Sequence, residues 1–284
     1  MEQYQKNNLY HGFRLKESRF VKEFNANCLY FTHIKSGARL LKVMADDPNK
    51  TFAITFKTVP DSDNGAPHIL EHSVLNGSRS FPVKSPFDVL LKGSLSTFLN
   101  AFTSKDFTMY PVASINDKDY FNLMHVYLDA VFRPLIHEDP RILKQEGWHV
   151  ECTSTDEPLK YTGVVYNEMK GAFSNPQREL WYHAFRHLFP DSIYGHESGG
   201  TPEAITTLTE EQFLAFHNTF YHPENSYIFL YGDADLDTEL SFIDRNYLQE
   251  FSAQGNSVTI AEQPLFGTPR TVTEYYQSME GEEA

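Results

Sequence analysis

The pentapeptide His68-Ile69-Leu70-Glu71-His72 decides how this 284-residue chain is interpreted. Two histidines four residues apart on a helix stand one turn above each other, with Cβ atoms about 5–6 Å apart. Both imidazoles can therefore reach a single metal ion. Glu71 is three residues from His68 and points to the same side, where a carboxylate beside the metal is free to act as a base.

The residues around the pentapeptide favour a short, buried helix. Pro67 suits the first turn of a helix, where its missing N–H costs no hydrogen bond, and Gly77 is a plausible stop. At about 100° per residue, the two histidines and Glu71 share one face while apolar residues cover the others. The order H-x-x-E-H is the inverted form of the zinc-peptidase motif, so the stretch predicts a zinc site on a helix.

The composition restricts the class of protein. A hydrophobic content of 40% with 14% aromatic residues supports a substantial core, and the length suits one large domain or two small ones. The net charge of −14 argues against a nucleic-acid partner, which would require a basic stripe.

The sequence shows no pattern of a secretory signal or a membrane-spanning segment. The first fifteen residues contain no apolar stretch of the kind a secretory signal requires, and no apolar run is long enough to cross a bilayer. Cys28 and Cys152 are too few for a disulfide framework. We therefore expect a reduced, cytoplasmic protein without a membrane partner.

Strand and helix patterns follow one another without the regular alternation of a parallel β/α fold. Residues 51–59 alternate as a strand with one buried face, and the polar turn 61–65 leads directly into the His68 helix. Further strands are predicted at 29–34, 38–44, 98–102, 107–112 and 225–231, and further helices at 85–94, 117–133, 139–150, 162–173, 176–188, 209–220 and 236–248. The pattern predicts an α+β fold with a mixed, mostly antiparallel sheet packed with helices, in which the metal-bearing helix follows a central strand.

The third metal ligand is less obvious than the two histidines. A catalytic zinc needs three protein ligands and one open position for water, and the carboxylates considered are Asp129, Glu146, Glu151, Glu168 and Glu179. Glu168 stands out because it falls within the apolar stripe of the predicted helix 162–173. A carboxylate on a core-facing stripe is costly unless it is paired or bound to a metal, so an ion pair with a buried arginine is the alternative.

A second histidine pair has the same spacing. His183 and His187 are also four residues apart, but Arg186 stands at the position of the base. We interpret that pair as structural.

Several longer motifs resemble a known family. His68–His72 together with Gly163-Val164-Val165-Tyr166-Asn167-Glu168-Met169-Lys170-Gly171 resembles the pitrilysin/insulinase-type zinc metallopeptidases, and within them the presequence-protease and falcilysin branch, where the two motifs are similarly far apart. The other similar stretches are Leu99–Ser104, Ser198–Pro202 and Tyr221–Ser226. The resemblance covers nearly the whole chain.

The resemblance implies a site and a function. It implies that His68, His72 and Glu168 bind one zinc ion per chain, with Glu71 as the general base of a metalloendopeptidase that degrades unfolded peptides in a closed chamber. It also implies that the edge strand bearing Asn100, Ala101 and Phe102 binds the peptide by strand addition, since an open edge offers backbone donors and acceptors to any extended chain. The alternatives are a non-catalytic structural or peptide-binding homologue and a processing peptidase that makes one defined cut.

Two features depart from the family pattern. Many insulinase-type relatives carry a supporting glutamate seven residues before the ligand glutamate, where this chain has Tyr161, so no residue is assigned to that role. Family members are also several times longer, and their distant half supplies an arginine and a tyrosine to the substrate. We therefore predict a catalytic domain over 1–250, a linker or the start of a second domain over 251–284, and the missing C-terminal half of the same enzyme as a partner.

Overall fold

The computed structural model describes residues 4–275. Its strands are β1 (Leu9–Tyr10), β2 (Phe13–Val21), β3 (Ala26–His33), β4 (Arg39–Met44), β5 (Lys50–Lys57), β6 (Ser96–Leu99), β7 (Phe102–Thr103), β8 (Phe107–Ser114), β9 (His149–Glu151), β10 (Lys160–Thr162) and β11 (Ser226–Tyr231). Its helices are α1 (Ala66–Val74), α2 (Pro86–Gly93), α3 (Asp117–Phe132), α4 (Arg141–Glu146), α5 (Val164–Ala172), α6 (Pro176–Leu188), α7 (Pro202–Ile205), α8 (Glu210–Phe220) and α9 (Leu236–Asn246). Within this range, none of the helices combines the length and apolar character needed to cross a bilayer.

One large sheet organises the fold. Over the described range, nine strands join in the order β1-β2-β3-β4-β11-β5-β8-β6, with β7 also paired to β8. Strand β11 runs parallel to β4, whereas the other neighbours in this sheet are antiparallel. Strands β9 and β10 form a separate antiparallel pair. The predicted α+β fold with a mixed, mostly antiparallel sheet is confirmed.

Strand β5 and helix α1 place the histidine motif at the centre of the molecule. Strand β5 lies between β11 and β8, and its alternating residues Phe52, Ile54 and Phe56 are completely buried, as the sequence pattern predicts. Helix α1 begins nine residues after the end of β5, at Ala66. The prediction that the metal-bearing helix follows a central strand is therefore also confirmed.

The prediction of one continuous strand over 98–102 is wrong, because the structure has two shorter strands there. Strand β6 ends at Leu99 and β7 begins at Phe102, so Asn100 and Ala101 form a break between them. The Asn100 side chain accepts the Ala101 N–H at 3.0 Å, and the Asn100 carbonyl accepts the Tyr127 hydroxyl at 3.2 Å. These local bonds compete with the regular ladder. The segment stays beside β8 nevertheless, because Asn100 N donates to Pro111 O at 3.2 Å.

The segment after residue 250 is extended and lies on the rest of the chain. Residues 251–275 contain no helix or strand, yet Lys57 Nζ donates to Val258 O at 2.9 Å and Ser192 Oγ donates to Ala261 O at 3.0 Å. The change in character after residue 250 accords with the predicted boundary, which stays a prediction. Residues 276–284 of the predicted linker lie outside the described residues.

Candidate metal centre

Helix α1 is held at its N-terminal end by close backbone packing and along its length by burial. Its N-cap, Gly65, has φ 71°, a left-handed conformation that suits glycine, and a Cβ there would meet the Gly199 carbonyl oxygen at 2.9 Å. The apolar residues Ile69, Leu70 and Val74 are completely buried. The predicted burial of this helix is confirmed, and the loop around Gly199 is brought directly over its first turn.

Glu168 comes from a different helix and faces the two histidines. Its Oε2 atom lies 3.7 Å from His68 Nε2 and 3.8 Å from His72 Nε2. The side chain is 53% exposed, so the expectation that it sits on a core-facing stripe is wrong. The buried residues of α5 are only Val165 and Met169, and Glu168 lies at the border of this short stripe, where the helix lines an open cleft.

The three candidate ligand atoms are close enough together to hold a zinc ion. They lie within 4.8 Å of one another. A tetrahedral zinc with ligands at about 2.0–2.1 Å needs them roughly 3.4 Å apart, so the observed separations from Glu168 require a closure of only a few tenths of an ångström. Two imidazoles and one carboxylate are also the ligand set of zinc peptidases, in which the fourth position is left for water.

Both histidine rings are oriented through their second nitrogen. His68 Nδ1 lies 3.4 Å from the Gly199 carbonyl oxygen, and His72 Nδ1 lies 3.5 Å from Glu146 Oε2. An acceptor at Nδ1 favours the tautomer that carries its proton there and leaves the lone pair on Nε2. Both Nε2 atoms then face Glu168 as potential ligands.

The charges around His72 shift two pKa values. Burial would lower the pKa of His72, but the contact with Glu146 and the neighbouring carboxylates of Glu71 and Glu168 outweigh burial and raise it. Burial would raise the pKa of Glu146, but hydrogen bonds from His72 and Gln145 outweigh burial and lower it. Glu146 is therefore held as a carboxylate at neutral pH.

Glu71 lies beside the three ligand residues without joining them. It is 9% exposed, and its carboxylate forms no hydrogen bond or salt bridge with any residue from 4 to 275. It lines the same cleft, of about 580 Å³, as His68, His72 and Glu168. A secluded carboxylate without a protein partner is available to take up a proton.

The predicted substrate-binding residues border this cleft. Ala101 and Phe102 line it together with the histidines, and Asn100 and Ala101 line an adjoining cleft of about 420 Å³ that also contains Glu146. The structure thus brings all seven predicted site residues to one region.

The other carboxylates that the sequence offers as a third ligand do not face the Nε2 atoms of His68 and His72. Asp129 is completely buried and accepts hydrogen bonds from Ser80 N and Oγ at 2.7 and 3.0 Å. Glu151 is exposed on β9, and Glu179 is half-buried on α6. Glu146 contacts Nδ1 of His72 rather than Nε2, so it stands behind the ring and outside the ligand set.

Tyr161 has no place in this centre. It lies on β10, where its ring packs against Trp148 and Tyr166 with centroids 5.8 and 6.2 Å away. The part that Gly199 and Glu146 play was missed by sequence reasoning, although Gly199 belongs to a family-like stretch and Glu146 was considered as a ligand. The spacing of residues along the sequence does not reveal which histidine nitrogen each of these two residues contacts.

The second histidine pair has an unexpected partner. His187 Nε2 lies 2.5 Å from Glu274 Oε1, and His183 Nδ1 lies 3.5 Å from the same atom. The three side chains could also hold a metal ion. The hydrogen bond between His187 and Glu274 already gives the Glu274 carboxylate a structural role, however, because it fixes the extended segment to α6. Our interpretation of the pair as structural stays a prediction, and a metal analysis of variants can test it.

The chain resembles known proteins along its whole length. Protein HypA of Clostridium perfringens is 48% identical over 280 residues, which cover 99% of this chain and 29% of HypA. Presequence protease 1, chloroplastic/mitochondrial, of Arabidopsis thaliana is 47% identical over 267 residues, covering 93% and 25%. A family model described as the Peptidase M16 inactive domain matches residues 207–282. The chain belongs to the M16 insulinase-like peptidase family.

Two solved structures of proteases share the fold at low sequence identity. Pitrilysin gives a TM-score of 0.65 at 17% identity, over 91% of this chain and 26% of pitrilysin. The first half of the periplasmic protease PqqL from Escherichia coli gives 0.63 at 17% identity, over 84% and 48%. The predicted family is confirmed, and the chain spans between a quarter and a third of the length of HypA and presequence protease 1.

Proposed function

We propose that this chain is the zinc-binding, catalytic part of a metalloendopeptidase that degrades unfolded peptides. The observation that carries the proposal is the convergence of His68 Nε2 and His72 Nε2 on Glu168 Oε2, beside the carboxylate of Glu71, which is 9% exposed. Relatives named presequence proteases support a peptide substrate.

The chemistry follows from the positions of these side chains. Zinc held by His68, His72 and Glu168 would polarise the scissile carbonyl and acidify the attacking water. Glu71 accepts the proton of that water and delivers it to the leaving amine, which is the work of a general base that becomes a general acid. The Gly199 carbonyl and Glu146 lie at Nδ1 of the two histidines and orient each ring with Nε2 towards the proposed zinc position.

The peptide is proposed to add as a strand along β6 and β7. Asn100 N and Ser104 N both donate towards β8, to Pro111 O and Phe107 O. The Ala101 N–H points the other way, to the Asn100 side chain, at the outer edge of the sheet. A peptide that displaces the Asn100 side chain can pair with this backbone donor, whatever the peptide's sequence.

Ala101→Pro is expected to weaken peptide binding by about 3- to 10-fold, the value of one net hydrogen bond, because proline removes the outward backbone donor. Asn100→Ala keeps that donor and removes only the side-chain oxygen that accepts it, so it should have a smaller effect. The measurement is fluorescence anisotropy of a labelled unfolded peptide on full-length protein carrying Glu71→Gln, with circular dichroism to verify folding. Equal and negligible effects of both substitutions would place the peptide elsewhere.

Metal analysis tests the proposed function directly. Purified protein should carry about one zinc per chain, and His68→Ala, His72→Ala and Glu168→Gln should each lose most of it, because a catalytic zinc depends on all three protein ligands. The matched control is His183→Ala with His187→Ala, which removes the same spacing from another helix of the same protein. Undiminished zinc in Glu168→Gln would show that the third ligand is misassigned, and loss of zinc in the control would move the site to α6.

A non-catalytic homologue is the alternative from another class. The description of the matching family model as an inactive domain favours it. The matched residues 207–282 begin after Glu168, however, so that match does not include the proposed ligands or base. A single-cut processing peptidase is the other alternative, and mapping the products from a mixed set of peptides would distinguish it from a general degrader.

A further inference from the structure

We infer that Glu146 is the positioning residue of the zinc site: its carboxylate accepts the Nδ1–H of His72 and fixes the ring with Nε2 towards the metal. The contact joins His72 Nδ1 to Glu146 Oε2 at 3.5 Å. The inference rests on the proposed zinc function and assigns a role to a residue outside the ligand set.

The fold places Glu146 firmly against helix α1. Glu146 is the last residue of α4, and the chain turns away at Gly147, where a Cβ would meet Leu143 O at 2.8 Å and Ile69 Cγ2 at 3.2 Å. This close approach to Ile69 brings the end of α4 against the helix that carries His72. The Glu146 side chain is only 6% exposed, compared with 28% for His72.

The two oxygens of the carboxylate have different partners. Oε1 accepts a hydrogen bond from Gln145 Nε2 at 2.7 Å, which fixes the orientation of the group. Oε2 is left for His72, which is the one salt-bridge partner of Glu146 in the described part of the chain. A buried carboxylate without a cationic or donor partner is costly, so the carboxylate and the ring hold each other in place.

The direction of the contact separates positioning from ligation. Glu146 lies at Nδ1, whereas the Nε2 atoms of His68 and His72 face Glu168. A carboxylate behind a ligand histidine fixes its tautomer and orientation and raises its basicity, and loss of such a partner typically reduces metal affinity by about 10- to 100-fold. His68 has a backbone carbonyl in the same position, which side-chain substitution cannot remove.

The test measures zinc affinity of the full-length protein by competition with a chelator at fixed pH, well below the unfolding temperature. Glu146→Ala should weaken zinc binding by about 10- to 100-fold. Glu146→Gln keeps a side-chain oxygen that can accept the Nδ1–H and should lose less. Glu179→Ala, at a glutamate of α6 that does not line the cleft of the site, is the control and should bind zinc as the parent does.

A purely structural role predicts a different result. Glu146→Ala would then lower the unfolding temperature of the metal-free protein while the folded protein kept the parent affinity, and that result would overturn the inference. If Glu168→Gln loses zinc and Glu146→Ala does not, the positioning role fails and the proposed zinc site stands. If the parent itself binds no zinc, the proposed function and the inference fail together.

Discussion

Replacing Glu71 by glutamine is expected to abolish peptide hydrolysis while the protein keeps its zinc. The proposed ligand atoms belong to His68, His72 and Glu168, so the substitution leaves that ligand set intact. Glutamine has nearly the same shape as glutamate but cannot accept the proton of the attacking water. Loss of a general base costs about 10²–10⁴ in rate, and the secluded position of Glu71 leaves little room for bulk water to replace it.

Two measurements on the full-length enzyme are needed together. Zinc content by mass spectrometry should equal that of the parent, and turnover of a quenched-fluorescent peptide should fall at least about 10²-fold. Glu179→Gln, at a glutamate on another helix that does not line the cleft of the site, serves as the control for removing a negative charge. Zinc loss in the Glu71 variant would make this residue a ligand, and turnover within tenfold of the parent would remove it from the mechanism.

The sequence predicted those parts of the site that depend on local geometry. His68 and His72 are brought together by the period of one helix, and Pro67 and Gly65 define where that helix begins. The apolar alternation of β5 places the helix at the centre of the sheet. These are short-range properties, and a single sequence displays them directly.

Contacts between distant segments were beyond local reasoning. Glu168 was selected for a burial that it does not have, yet its carboxylate lies within 3.8 Å of both histidines. The turn of α4 at Gly147 and the packing of the Gly199 loop on Gly65 decide what faces each Nδ1 atom. Both depend on how separate elements pack, and no spacing in the sequence encodes them.

The break in the strand at Asn100 also depends on contacts between segments that are distant in the sequence. The alternation of Phe98, Asn100 and Phe102 indicated one continuous strand. The Asn100 side chain and carbonyl instead bind Ala101 N and the Tyr127 hydroxyl. Since Tyr127 belongs to α3, the interruption depends on a helix that packs on the sheet from a later part of the chain.

The 284 residues alone are expected to fold and bind zinc, yet to hydrolyse peptides at least about 10³-fold more slowly than the complete enzyme. Relatives are three to four times as long, and we propose that their remaining length closes the chamber. In this chain Glu168 is half exposed and the edge of β6 and β7 is open, so a bound peptide is held on one side only. The absence of one preorganised donor costs about 10²–10³ in rate, and poor positioning of the substrate adds to that loss.

A quenched-fluorescent peptide assay on this chain, with Glu71→Gln as the blank, measures the difference. Addition of the separately produced C-terminal half should restore part of the activity if the two halves associate, because the half brings back the groups that position the peptide. The rate should then rise with the concentration of the added half and saturate. Zinc affinity should not change, since every proposed ligand is already present in residues 68–168. Turnover near the rate of the complete enzyme by this chain alone would show that one domain suffices and that the closed chamber is not needed for catalysis.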